Sequence, residues 1–145
     1  MNRRKTRAEY IISRNLANRQ KQGKKSRPEE AFNKYQESRR LGLIWDKTFK
    51  MIDPKTGEVW DIQCDFLRPT PDGKFDIDFE IDGKKFHHKP SKDHWRDSLK
   101  INFGFNSIIH IPTEYVKRKW WAALDRLLPE AIASAESVVY IDEYA

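Results

Sequence analysis

Residues 74–82 carry a carboxylate at every second position, Asp76, Asp78, Glu80 and Asp82, interleaved with Phe75, Ile77, Phe79 and Ile81. In an extended strand, alternate side chains share a face, so one face is apolar and the other presents four acids roughly 7 Å apart. Like charges at that spacing repel, and a folded chain tolerates them when they face water, pair with cations or hold a metal. Hard divalent cations such as Mg²⁺ take oxygen ligands, commonly one or two carboxylates with water and a substrate phosphate.

A fifth acid, Asp65, lies in a second alternating run, where Trp60, Ile62, Cys64 and Phe66 are expected on one face and Asp61, Gln63 and Asp65 on the other. Antiparallel pairing of the two runs would let Asp65 and Glu80 share one ion. The plainer alternative is a solvated polar strand face. Three neighbours in sequence enlarge the set: Glu29 or Glu30 at the start of a helix, His87 just past the acidic strand, and Asp97 on the helix after it. An isolated histidine is usually structural or exposed, but one beside a carboxylate-held metal is a candidate general base.

Several elements must position these groups. Ser26 can cap a helix over residues 28 to about 40, with Pro28 at its first position and two acids in its first turn. Residues 43–68 break at Asp53-Pro54-Lys55-Thr56-Gly57 and read as a hairpin. The acidic strand follows the turn at 69–73 and ends at Gly83. A helix is expected from about 91 to 103, with Trp95, Leu99 and Phe103 as its apolar stripe and Asp93, Arg96, Asp97 and Lys100 on the other side. Then come a short β-rich run at 105–111, a helix capped by Thr113 and reaching 128, a short helix around 130–135 and a possible strand at 138–141. Trp120 and Trp121 beside Lys117-Arg118-Lys119 suit core packing or helix docking, with base stacking as the alternative.

The 145 residues are enough for one domain with a tail, and 38% hydrophobic content suits a globular core. The formal charge of +6 is unevenly placed. Residues 1–27 hold ten Lys or Arg against Glu9 alone, leaving a slightly acidic body at 28–145. Such an arm suits a polyanion, because neutralising phosphates releases counterions without a preformed pocket. Nucleic acid is the natural candidate; a solvated basic tail is the bland one. Cys64 is the only cysteine, so no disulfide framework or cysteine-built zinc site is expected, and a reducing, cytoplasmic setting is the default. No apolar run is long enough to span a bilayer, no secretory leader is evident at residues 1–13, and no membrane partner is expected.

The ordered set Glu29/Glu30, Cys64-Asp65-Phe66, Glu80-Ile81-Asp82-Gly83, Phe86-His87-His88, Asp93-x-x-Arg96-Asp97-x-Leu99 and Gly104 resembles the very-short-patch-repair endonuclease branch of the PD-(D/E)XK nuclease superfamily. More narrowly, it is similar to the related homing endonucleases described by a Glu, Asp, His, Asp series. The resemblance spans roughly residues 29 to 111. It implies an α/β, restriction-endonuclease-like fold: a mixed β-sheet flanked by helices, here behind a basic N-terminal arm.

The resemblance also implies a metal at Asp65 and Glu80, with the Ile81 carbonyl as a further ligand, His87 as general base, Asp97 as its support and Glu29 or Glu30 as a third acid. The metal expected is Mg²⁺, with Mn²⁺ as substitute, and the activity is phosphodiester hydrolysis by water attack on DNA, expected to be double-stranded. A homo-oligomer remains possible. Phosphates would be gripped away from the acids by Arg3, Arg4, Lys5, Arg7, Arg14, Arg19, Lys21, Lys24 and Lys25, helped by Lys84, Lys85 and Lys89.

Two departures narrow the expectation. The superfamily's signature lysine would fall at Asp82, and the Cys and His set of a structural zinc is missing, which points to a homing-type or phage-type endonuclease rather than a mismatch-repair enzyme. The rival readings are a non-catalytic nucleic-acid-binding module, an interaction protein with a basic tail, and a nuclease acting on RNA or branched DNA.

Overall fold

The computed structural model describes residues 25–82 and 90–141, the side chains of 90–93 excepted. Helix α1 spans Arg27–Ser38, and its start is the reciprocal cap expected of Ser26: the Glu29 backbone N–H donates to Ser26 Oγ, whose hydroxyl donates to Glu29 Oε1 at 2.8 Å. Strands β1 (Ile44–Ile52) and β2 (Val59–Pro69) form the hairpin. Its turn closes through the Gly57 N–H, which donates to the Asp53 carbonyl, with Gly57 at φ +74° where a side chain would be strained. The acidic segment is β3 (Phe75–Asp82), followed by α2 (Pro90–Phe103) and β4 (Ser107–Pro112). Two 3₁₀ turns, Thr113–Val116 and Arg118–Trp120, lead to α3 (Trp121–Ala133) and the short strand β5 (Val138–Tyr140).

The strand order is β1-β2-β3-β4-β5, antiparallel from β1 to β3 and parallel from β3 to β5. Parallel neighbours require long crossovers, which α2 and α3 supply. The result is a mixed sheet flanked by helices. On one face, Phe32 and Tyr35 of α1 and Leu124 and Leu128 of α3 pack on Phe66, Phe79, Ile109 and Ile111. On the other, Leu99 of α2 packs with Met51, Ile62, Cys64, Leu67 and Ile108. Each fully buried large apolar side chain in these layers contributes on the order of 2 kcal/mol.

Three expectations change. The helix expected from Thr113 to 128 is two 3₁₀ turns as far as Trp120 and α-helical only from Trp121, with Lys117 in extended backbone (ψ 142°) between buried Val116 and the second turn. The break expected after Leu128 does not occur: α3 continues through Pro129, anchored on either side by buried Leu128 and Ala131. Strict alternation in β2 also fails. Ile62 and Cys64 face α2, Phe66 faces α1, and Leu67 faces α2 again. The switch lies at Asp65, opposite Asp46, which takes left-handed backbone (φ +59°) between the pairs Trp45↔Phe66 and Lys47↔Cys64. A left-handed residue resets which way the following side chains point.

Arg27, counted with the arm in the sequence, is the first residue of α1. The other proposed phosphate contacts Arg3, Arg4, Lys5, Arg7, Arg14, Arg19, Lys21, Lys24, Lys84, Lys85 and Lys89, together with His87 and His88, lie outside the described residues. No helix among the described residues is long and apolar enough to cross a membrane.

Candidate functional site

Because Phe66 pairs with Phe79 across β2 and β3, the next residues on the register, Asp65 and Glu80, emerge side by side on the α2 face. Their carboxyl groups hydrogen-bond each other, and Asp65 Oδ2 also accepts from the Ile81 backbone N–H at 3.0 Å. The same kink that redirects Asp65 places the Cys64 thiol with it. Cys64, Asp78 and Glu80 are all buried, and their ligand atoms lie within 4.8 Å of one another. Burial pushes the Cys64 thiol well up, so it is a neutral neighbour rather than a thiolate.

The solvated-face alternative for the acidic row does not hold, since Asp78 is 0% and Glu80 7% exposed. Each of the four carboxylates instead meets a cation. Asp76, at the start of β3, takes a two-pronged bond from Arg68, at 3.0 and 2.6 Å. Lys100 of α2 contacts Glu80 Oε1 and lies 2.7 Å from Asp78 Oδ2. His110 of β4, the register partner of Glu80, bonds Asp82 through Nδ1 at 2.5 Å and Asp97 through Nε2 at 2.7 Å.

Helix α2 therefore turns its charged side inward, contrary to the stripe read from its sequence. Asp97 and Lys100 are 3% and 1% exposed, while Phe103 is 47% exposed. Leu99 still anchors the helix in the core. Residues 96, 97 and 100 share one helical face, and opposite that face the sheet supplies acids and a histidine in place of an apolar surface.

The electrostatics follow from this nesting. Burial alone would raise the Glu80 carboxyl, but Lys100 and the hydrogen bonds from Asp65 and Asp78 hold it well below its ordinary range. Asp78 goes the other way: burial and the adjacent Glu80 charge outweigh Lys100 and lift it well above the usual carboxylate range. Lys100 is deprotonated less readily than a free lysine, because Asp78 and Glu80 more than offset the cost of burying its charge. Arg96 responds similarly; its burial is offset by Glu80, Asp65, Asp78 and Asp97. For His110, burial lowers the pKa, but the hydrogen bonds and charges of Asp82 and Asp97 push it up to about 10. An imidazole whose two nitrogens both face carboxylates is an imidazolium, so His110 in this arrangement is a cation and not a proton acceptor. Its ring stacks on Tyr140 at 4.5 Å.

The sequence candidates thus divide. Asp65 and Glu80 are brought together, and it is the Ile81 N–H, not the expected carbonyl, that meets Asp65. Asp97 belongs to the same face, where its described histidine partner is His110, while the expected partner His87 lies outside the described residues. Glu29 is buried on the α1 side, receiving Trp45 Nε1–H at 2.6 Å as well as the Ser26 hydroxyl. Glu30 is exposed. Lys25 places its ammonium 4.2 Å from the Trp45 ring centroid. Of the two tryptophans, Trp121 packs edge-on against Tyr35 and donates to the Val116 carbonyl, and Trp120 packs on Tyr115, as expected for a docked helix.

Sequence reasoning missed Lys100 and His110. Both left a trace. His110 is the lone ring in the otherwise apolar run Ser107–Pro112, and Lys100 falls three and four residues beyond Asp97 and Arg96, matching an acid row of similar length.

The carboxylate oxygens here are of the kind a hard divalent cation takes, but among the described residues the group with three ligand atoms within 4.8 Å of one another, Cys64, Asp78 and Glu80, includes a neutral thiol, a poor ligand for such an ion. Asp65 and Glu80 offer carboxylate oxygens at one point, and around them five carboxylates (Asp65, Asp78, Glu80, Asp82, Asp97) face three cations (Arg96, Lys100, His110). With Asp78 neutral and one proton shared between Asp65 and Glu80, the charges of the group balance, and a divalent ion at Asp65 and Glu80 would take the place of that proton. Comparison of the chain with protein-family models, with curated proteins and with solved structures finds no match in any of the three.

Proposed function

We propose that this protein is a Mg²⁺-dependent DNA endonuclease of the PD-(D/E)XK type, in the branch described by a Glu, Asp, His, Asp series, acting in a reducing cytoplasmic setting. The observation that carries the reading is the meeting of Asp65 and Glu80 on adjacent antiparallel strands, with Lys100 delivered onto Glu80 by the crossover helix. A divalent ion bound there would supply Lewis-acid stabilisation of a phosphate and a more acidic water.

The protein's own groups divide the remaining work. Asp65 is held in place by the Ile81 N–H and lies against Glu80, where the two carboxyl groups would hold the ion. Lys100 keeps Glu80 anionic. His110 ties Asp82 to Asp97 and so fixes α2 against the end of β3. His87 remains the proposed proton acceptor, carried over from the resemblance. Basic residues of the arm grip phosphates remote from the acids.

A second reading has its own observation. Since Arg68, Lys100 and His110 compensate all four carboxylates of β3, the row also suits a structural role in a non-catalytic DNA-binding module. Nicking of supercoiled plasmid separates the two. The endonuclease reading expects cleavage that needs Mg²⁺ or Mn²⁺, stops with EDTA, and is lost at least a hundredfold in Asp65→Asn while DNA binding persists. Binding of DNA without any metal-dependent nicking would leave the module.

A further inference from the structure

A second, unassigned feature lies on the opposite face of the sheet from the acid cluster. Between α1 and the turns preceding α3 is a cleft of about 380 Å³, lined by Arg27, Glu30, Lys34, Val116, Arg118 and Trp121. Three of its side chains are exposed cations and one is an exposed acid. No carboxylate of a described residue lies within 4.0 Å of Arg27, Lys34 or Arg118, Glu30 included, whereas Arg39, on the same helix, is tied to Asp125 at 2.9 Å. The Arg118 guanidinium carbon lies 5.7 Å from the centroid of the Trp121 indole. Three cations sharing one concavity repel one another, and an anion spanning them removes that repulsion.

Helix α3 is the crossover from β4 to its parallel neighbour β5, so its first residue, Trp121, and the turns before it sit at the C-terminal end of β4. Pro112, the last residue of β4, pairs with Asp82, two residues beyond Glu80. The cleft thus lies towards the same end of the sheet as Asp82, on the opposite face. Arg27 is also the point where the basic N-terminal arm joins α1. A linear polyanion laid across that end of the sheet would meet the cleft, with Asp82 on the other face.

We propose that this cleft is a phosphate clamp for the backbone of the bound DNA, in which Arg27, Lys34 and Arg118 neutralise consecutive phosphates away from the site of cutting. The proposal rests on DNA being the ligand, as in the function proposed above, but not on cleavage. The indole of Trp121 keeps the Arg118 guanidinium extended into the cleft, and its packing on Tyr35 makes that wall rigid.

The test is the salt dependence of duplex binding by the full chain carrying Asp65→Asn, measured in EDTA by fluorescence anisotropy between 50 and 300 mM NaCl. Each neutralised phosphate contributes about 0.9 to the slope of log K against log salt. Arg27→Gln/Lys34→Gln/Arg118→Gln is expected to flatten the slope by about 2–3 and to weaken binding on the order of a hundredfold near 150 mM salt. Arg118→Gln alone should flatten it by about 1. A charge-matched control, Lys47→Gln/Lys50→Gln/Lys74→Gln on β1 and at the start of β3, should change the slope by less than 1. All six residues lie outside the buried core, and circular dichroism checks that each variant is folded.

An unchanged slope in the triple cleft variant, an equal loss in the control, or no DNA binding by the parent would overturn the clamp. Failure of the parent to nick plasmid, with the slope still falling in the cleft variant, would overturn the nuclease reading and leave the clamp standing.

Discussion

Lys100→Met tests the electrostatic core directly, because it keeps most of the side chain's length and removes only the charge. In the folded protein Lys100 is 1% exposed, contacts Glu80 and lies 2.7 Å from Asp78. Removing one partner of such a buried pair leaves a carboxylate without its counterion, at a cost of about 3–5 kcal/mol. A domain of this size has roughly 5–15 kcal/mol in total, so the variant should lose about 10–15 °C in Tm and remain foldable only under mild conditions.

The pH dependence makes the cause identifiable. In the parent, the depressed Glu80 carboxyl contributes stability that is present above its ordinary value of 4.5 and is lost as pH falls through its lower folded value. Without Lys100 that contribution disappears. The deficit relative to the parent should therefore be full at pH 7 and shrink towards pH 4, where the carboxyl can be protonated. Urea unfolding of Lys100→Met, Lys100→Arg and the parent at both pH values measures this. The arginine variant keeps the charge and should lose less than the methionine one. A methionine variant within 1 kcal/mol of the parent at pH 7, or one with the same deficit at pH 4, would refute the assignment of Lys100 as the counterion of the acid row.

Two further outcomes follow from the buried polar contacts. His110 has a folded pKa raised to about 10, so its stabilising contribution is complete below about pH 6.5 and is lost as pH rises towards 10. The stability gap between the parent and His110→Gln should therefore be a few kcal/mol at pH 6 and close by pH 10; a gap constant over that range would show that the imidazolium is not what holds Asp82 and Asp97. At the start of α1, Glu29→Ala should cost about 1–3 kcal/mol in urea unfolding, since it strands the Trp45 indole N–H and removes half of the capping box. Exposed Glu30→Ala should stay within about 0.5 kcal/mol, and equal losses for the two would contradict the geometry.

Much of the framework was legible along the chain because it depends on local rules. The turn at Asp53–Gly57, the cap at Ser26, the period-two pattern of β3 and the helix over α2 are each set by neighbours within a few residues. These placed Asp65 on one strand and Glu80 on the next, and the hairpin order made their antiparallel pairing the natural expectation. Sequence also bounded the charge distribution, the basic arm against a slightly acidic body, which no folding alters.

What alternation could not reveal was that β2 changes face at Asp65, opposite the left-handed Asp46 of the partner strand. Nor could it show that the charged side of α2 is the buried one. A helix's inward face is decided by what it meets, and here it meets acids and His110 on the sheet, so Lys100 and Asp97 turn inward while Phe103 stays partly exposed. The types and order of the carboxylates were fixed by sequence. Their burial, their pairing with Lys100 and His110, and the opposite shifts of Asp78 and Glu80 arise only when separate elements are pressed together, since counterions and desolvation act through space and not along the chain.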